Sequence, residues 1–162
     1  MNADAFRHFY EYHFSENRKI WDGYIVPLSY EQFTQNVAYS HGSVRDQIVH
    51  IMNVDEAWFS GLRGVENTSE FIPADFDDRN LLRAHWDGVE QAMRGYLEKL
   101  QDEMLFEKPF ADGEDKDLIL WQVLLHVANH GTDHRAQLLR LLHDLGVKTT
   151  SQDYIFHVYD NP

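Results

Sequence analysis

The segment 124–138 restricts the fold of this chain more than any other. His126, His130 and His134 follow one another at four-residue steps within it, and Leu124, Val127 and Leu138 recur around them near helical spacing. Residues four apart lie on one face of an α-helix, about one turn apart. The segment is therefore predicted to form a helix with several imidazoles on one face, and two imidazoles so placed can reach one metal ion.

The charge and the residue types of the chain argue against several functions. There are 27 acidic and 14 basic residues, a net charge of -13, which disfavours binding to nucleic acid or to an anionic membrane. There is no cysteine, which excludes disulfides, zinc–thiolate sites and cysteine nucleophiles. The sequence contains no signal peptide and no run of about 18 apolar residues. We therefore predict a cytoplasmic protein that binds neither nucleic acid nor membrane.

Apolar residues recur at helical spacing in four segments of the chain. These segments predict helices at about 4–24, from Ser43 to 61–64, at about 77–104, and from Asp115 or Asp117 to 144–146. Pro27 stops the first helix, Ser43 caps the second, and Gly146 follows the end of the fourth.

Four helices of about 20–30 residues are typical of a helical bundle. Since no linker or internal repeat divides the sequence, we predict an all-α four-helix bundle that forms one domain over residues 1–162. Segment 106–113 is expected to be a loop or a short extended pair. The tail from 149 to 162 is rich in aromatic residues and is expected to pack back on the bundle.

His50, His130 and His134 are the candidate metal ligands. His50 lies between Ile48 and Ile51, close to the apolar stripe of the second helix. Three imidazoles leave coordination positions open, which is the pattern of catalytic metal sites. The alternative is a set of core histidines that hydrogen-bond to the backbone or to each other.

His126 and His134 cannot easily bind the same ion, because residues eight apart are separated by about 12 Å of helical rise. The ligand pair is therefore His126 with His130, or His130 with His134. The second pair is preferred here, which gives His126 a structural role or a role beside the ligands. Surface or half-buried structural roles are expected for the six remaining histidines, which are His8, His13, His41, His85, His143 and His157.

Three parts of the sequence resemble the DinB/YfiT-like metalloenzyme family. In that family the last bundle helix carries Asn-His and a second histidine four residues later, followed by Arg and Gln, and segment 126–137 has this pattern. Segment 49–58 resembles the second-helix histidine with its following acidic and aromatic residues. Segment 153–156 resembles the C-terminal part. The resemblance covers about 40–160, with one departure: Asp133 stands where many members have a histidine.

The resemblance implies a divalent metal ion held by His50, His130 and His134. Imidazole ligands suit several divalent ions. Zinc or nickel is expected first, and iron or manganese second. Members of the family are commonly homodimers, and characterised relatives include bacillithiol- and mycothiol-dependent transferases and maleylpyruvate isomerase. The residues expected beside the ligands are Asp55, His126, Asp133 and Arg135. Asp55 and Glu56 would orient His50 or belong to a solvated helix face. Arg135 would form an ion pair with a nearby acid, the preferred role, or assist an anionic cosubstrate.

The expected function is a metal-dependent transferase that uses a low-molecular-weight thiol, as in the bacillithiol-type S-transferases, and acts on an electrophile. A thiol from outside the chain agrees with the absence of cysteine. A metal-dependent hydrolase, with metal-bound water as the nucleophile, is the enzymatic alternative. A metal-binding, stress-related dimer without catalysis is the alternative outside enzymes.

Overall fold

The computed structural model describes residues 2–65 and 70–161. Its helices, in chain order, are α1 (Ala3–Ile20), α2 (Tyr30–Thr34), α3 (Val44–Leu62), α4 (Arg79–Leu97), α5 (Leu120–Asp144) and α6 (Tyr154–Asp160). No strand occurs within these two ranges, so the predicted all-α class is confirmed. None of the described helices is both long enough and apolar enough to cross a membrane.

The predicted starts of the second and third long helices are correct, because each has a side-chain cap. The Ser43 hydroxyl accepts the Asp46 N–H at 3.0 Å, and the Asp78 carboxylate accepts the Asn80 N–H at 2.8 Å. These bonds satisfy backbone donors that have no partner within the helix. α1 passes directly into a wider helical turn at Trp21–Ile25, so the predicted extent of the first helix is also close.

The third long helix ends earlier than predicted, at Leu97 rather than near Met104. The Arg7 guanidinium of α1 donates to the carbonyls of Leu97 and Leu100 at 3.0 and 2.9 Å, and so satisfies the helix end there. The chain then forms a separate short turn at Glu103–Phe106.

The prediction that Asp115 or Asp117 caps the fourth long helix is wrong. The helix begins at Leu120, and the Gln122 side chain accepts the Ile119 N–H at 2.9 Å. The Asp117 carboxylate is instead paired with Lys108 at 2.7 Å. The predicted end of this helix is correct, since Gly146 follows it with a positive φ of 81°.

One core joins the four long helices. α5 packs on α1 and α3, and α4 covers the other side of α1 and α3. Large side chains with at most 5% exposure fill the space between them; they include Phe6, Phe14, Ile48, Met52, Phe59, Leu82, Trp86, Leu124 and Leu138. The tail packs back on α1 as predicted, with the Tyr154 ring centroid 5.3 Å from that of Phe9 and 5.2 Å from that of Tyr12.

Candidate metal centre

The predicted ligands His50, His130 and His134 lie together where α3 packs on α5. The Nε2 atoms of His50 and His130 are 3.1 Å apart. The His134 ring centroid lies 4.4 Å from that of His50 and 4.2 Å from that of His130. Two nitrogens bound at 2.0–2.1 Å to one tetrahedral zinc ion are separated by about 3.3 Å. The His50–His130 distance is therefore close to the spacing that a shared ion requires.

His41 joins this cluster, although the sequence analysis expects only a surface or half-buried role for it. Its ring stacks on His50 with centroids 3.7 Å apart, and its centroid is 5.3 Å from that of His134. Within the described ranges, the ligand atoms of His41, His50 and His134 form a group in which all lie within 4.8 Å of one another. His41 precedes His50 by nine residues and lies outside any helix, so helical spacing gives no signal for it.

His130 touches this group through His50 but is not part of it. Its Nδ1 is buried and has no hydrogen-bond partner among the described residues. A buried ring nitrogen without a partner is unusual, and an ion bound through the Nε2 atom would leave this Nδ1 without one. The ligand set of His50, His130 and His134 stays a prediction, and the donors fit a divalent ion because all of them are imidazoles.

Burial and mutual repulsion keep these imidazoles neutral at pH 7. Burial lowers the pKa of His130 to about 3, and the neighbouring His134 and His50 contribute further. Burial lowers the pKa of His50 to about 4, with additional effects of His41 and His134. The pKa of His134 is also lowered, by burial and by His41, although Asp133 opposes this. Neutral imidazole is the form that binds a metal ion.

We expect the metal-free protein to become less stable as the pH falls from about 6.5 to about 4. The folded-state pKa values of His50 and His130 are below the ordinary value of 6.5, so the unfolded chain binds more protons in this range and gains stability relative to the folded chain. Urea unfolding at several pH values measures this dependence. The variant His130→Ala should show a shallower decline than the wild type, and an equal decline would contradict the prediction.

Gln47 positions His134 and is a site residue that the sequence analysis missed. It is fully buried, and its amide Nε2 donates to His134 Nδ1 at 2.8 Å and to the His134 carbonyl at 3.1 Å. Its Oε1 accepts the Ser40 hydroxyl at 2.8 Å. This contact fixes the ring in place, but because Nδ1 accepts, the hydrogen of neutral His134 is on Nε2, and binding of an ion through Nε2 requires the other tautomer. Gln47 precedes His50 by one helical turn, and this spacing is the only sequence signal for it.

The residues predicted to lie beside the metal ligands are Asp55, His126, Asp133 and Arg135, and their contacts differ from that prediction. Asp55 is buried, and its Oδ2 lies 3.3 Å from His13 Nε2, not on His50. A residue five positions along a helix is rotated by about 140°, which turns Asp55 away from the metal histidines towards α1. His126 is exposed, with its ring 5.2 Å from that of Trp58. The exposed Asp133 accepts the Gln137 amide at 3.0 Å.

Arg135 is buried, with 1% exposure, so its guanidinium does not face solvent. It donates to His13 Nδ1 at 3.1 Å and to the side-chain oxygen Oδ1 of Asn17 at 3.0 Å, with further bonds to Thr132 and Gln152. Because arginine only donates, His13 Nδ1 accepts and the Nε2 hydrogen faces Asp55. Burial lowers the pKa of Arg135. His13 thus connects the buried Arg135 and Asp55 charges, and all three link α1, α3 and α5.

Gly131 permits the close approach of α5 to α1 at this network. A Cβ atom at this position would lie 2.3 Å from Cε1 of His13, and real Cβ atoms do not come so close to other atoms. Glycine is the residue that allows such an approach. Since Gly131 and Arg135 directly follow His130 and His134, the network fixes the part of α5 that carries the predicted ligands.

The family model described as DinB family matches residues 1–160 of the chain. No curated protein matches it.

Proposed function

Since this chain belongs to the DinB family, we propose that it is a divalent-metal-dependent enzyme that transfers a low-molecular-weight thiol to an electrophile. His50, His130 and His134 hold the ion, with zinc or nickel as the first candidates and iron or manganese as the second. The observation that supports this best is the 3.1 Å separation between the Nε2 atoms of His50 and His130. A divalent ion at this site would lower the pKa of an incoming thiol and provide a thiolate at neutral pH.

The residues around the histidines hold the proposed ligands in place. Gln47 orients His134, and the network around Arg135 holds α5 in register with α1. A cavity of about 300 Å³ lies between the loop that precedes α3 and the C-terminal end of α5, with Val37, Tyr39 and Leu141 in its lining and none of the four histidines among its lining residues. This volume is at the lower end of the range for small-molecule sites. The chain has no cysteine, so the thiol comes from a cosubstrate.

A cytoplasmic homodimer is part of the proposal. Large apolar side chains on α6 support it: Ile155 is 47% exposed, Phe156 52% and Tyr159 70%. Exposed apolar clusters of this kind are typical of protein interfaces. Light scattering during size-exclusion chromatography measures the mass in solution, and a monomer would contradict this part.

The test is a thiol-transfer assay on untagged protein loaded with zinc or nickel. Bacillithiol or glutathione serves as the thiol and monochlorobimane as the electrophile, and the product is measured by fluorescence. We expect the loaded protein to accelerate the reaction, and the metal-free protein and His134→Ala to give the uncatalysed rate, because both lack the bound ion. His143→Ala is the matched control, since the His143 side chain is exposed and, in the part of the chain that the structure describes, is paired with Asp144 alone.

Two results would overturn the proposal in different ways. Metal-dependent cleavage of para-nitrophenyl acetate without any thiol transfer would favour the hydrolase. Near-stoichiometric metal with neither reaction would favour the metal-binding protein without catalysis.

A further inference from the structure

We propose that His41 is a fourth, displaceable ligand of the metal ion, which occupies the coordination position that the thiolate substrate takes. This inference rests on the proposed function and adds a resting state to it. When the substrate binds, the thiolate sulfur takes the place of the His41 nitrogen, and the thiol proton passes to solvent.

His41 is close enough to act as a ligand. Its ligand atom lies within 4.8 Å of those of His50 and His134. Its ring lies nearly parallel to His50, with an interplanar angle of 20°. Rotation of the exposed His41 side chain would open this stack and turn its nitrogen towards an ion held by the helical histidines. A fourth imidazole would complete the four-coordinate geometry that zinc prefers.

The loop backbone holds His41 over the other histidines. Gly42 has a φ of +97°, and a Cβ atom there would lie 2.3 Å from Asn36 Oδ1. The Val37 N–H donates to the Gly42 carbonyl at 2.7 Å and closes the loop. Ser40 also adopts a positive φ, 50°, which is uncommon for a residue other than glycine. A residue other than glycine keeps a positive φ where the surrounding contacts impose it, often at ligand sites.

The loop that carries His41 is linked to the predicted ligand His134 through the side chain of Gln47. Ser40, next to His41, donates to Gln47 Oε1, and the Gln47 amide donates to His134. A change in the position of His41 is therefore transmitted to the partner that orients His134.

His41 differs from the other three histidines in the way that it is held. His50, His130 and His134 lie within long helices and are partly buried, whereas His41 is exposed and lies on a loop. Loop residues are displaced at a lower free-energy cost than residues in packed helices. A substrate that arrives from solvent meets His41 first, and three ligands remain when it leaves. The structure thus combines a closed four-ligand site with the three-ligand site that catalysis requires.

The test uses Co²⁺, whose visible absorption is intense in four-coordinate sites and weak in five- or six-coordinate sites. Metal-free wild type, His41→Ala and the control His143→Ala are titrated with Co²⁺, and the affinity is measured by competition with a chelator. Loss of a partner beside the ligands weakens metal affinity about 10–100-fold, and loss of a ligand should cost at least as much. We expect His41→Ala to keep one Co²⁺ with at least about tenfold lower affinity and weaker visible absorption. His143→Ala should resemble the wild type.

Addition of β-mercaptoethanol to the Co²⁺ forms tests the displacement. The sulfur-to-cobalt absorption band should develop at a lower thiol concentration in His41→Ala than in the wild type, because no ligand has to leave. If the band develops at the same thiol concentration in wild type and His41→Ala, the proposed displacement of His41 is overturned.

The remaining outcomes separate this inference from the proposed function. Identical Co²⁺ spectra and affinities of wild type and His41→Ala would overturn the inference and leave the metal site intact. Complete loss of Co²⁺ in His41→Ala, with retention in His130→Ala, would make His41 a primary ligand and also overturn it. A wild type that takes up no Co²⁺, Zn²⁺ or Ni²⁺ would refute the inference and the proposed function together.

Discussion

The variant Arg135→Ala is expected to lower the free energy of unfolding by about 3–5 kcal/mol, a loss comparable to that from removing one partner of a buried ion pair, with the charges of Arg135 and Asp55 here linked through His13 rather than directly. The Arg135 guanidinium donates to His13, Asn17, Thr132 and Gln152. Loss of the guanidinium leaves two buried acceptors, His13 Nδ1 and Asn17 Oδ1, without this donor. Asp55 also loses the positive charge that acts on it through His13, and its Oδ1 already has no partner among the described residues. Urea unfolding of the metal-free protein at pH 7 measures the effect.

Arg140→Ala is the matched control for Arg135→Ala, because it removes the same side chain from the same helix. Among the described residues Arg140 pairs with Asp144 alone, and both side chains are more than half exposed. Exposed pairs of this kind contribute little to stability, so this variant should unfold close to the wild type. Similar losses in the two variants would show that the effect comes from α5 itself and not from the buried network. Arg135→Lys, which keeps the charge but not the planar fork, should recover only part of the loss.

The spacing of His130 and His134 was predictable because it depends only on the local geometry of one helix. The hydrogen-bond ladder of α5 brings residues four apart onto one face, and their ring centroids are 4.2 Å apart. His50 required one further assumption, that the apolar stripe around it faces the core. Ile48 and Ile51 are fully buried, and His50 at the edge of that stripe reaches His130.

The position of His41 was not predictable from the same reasoning. It depends on a loop whose path is set by Gly42, Ser40 and their hydrogen bonds, and not on any period in the sequence. A histidine in such a loop looks like any other surface histidine until the fold brings it near α3 and α5.

Asp55 and Arg135 show the opposite error, in which closeness along the sequence suggested closeness to the metal site. Successive residues of an α-helix are rotated by about 100°, so Arg135 points away from the face that carries His134. Both side chains meet His13 of α1 instead. His13 was not singled out by the sequence, because its charged partners are 42 and 122 residues away.

The second large effect is expected from the removal of single histidines. His50→Ala, His130→Ala and His134→Ala should each lower the metal affinity at least about 10–100-fold, since a ligand contributes at least as much as a residue that only orients one. His126→Ala should have a much smaller effect, because the exposed His126 ring lies against Trp58 with its centroid 6.1 Å from that of His130. Elemental mass spectrometry of untagged protein, expressed without added metal, measures the content of each variant.

The same series of variants decides between the ligand sets that remain open. Loss of metal in His126→Ala with retention in His134→Ala would assign the ion to the other histidine pair of α5. Retention in His130→Ala would favour the compact group of His41, His50 and His134 instead. His130 is the informative position, because its Nε2 is only 3.1 Å from His50 while its Nδ1 is buried without a partner among the described residues. If His130 is not a ligand, the two rings form only an imidazole hydrogen bond, and His130→Ala would leave the ion in place.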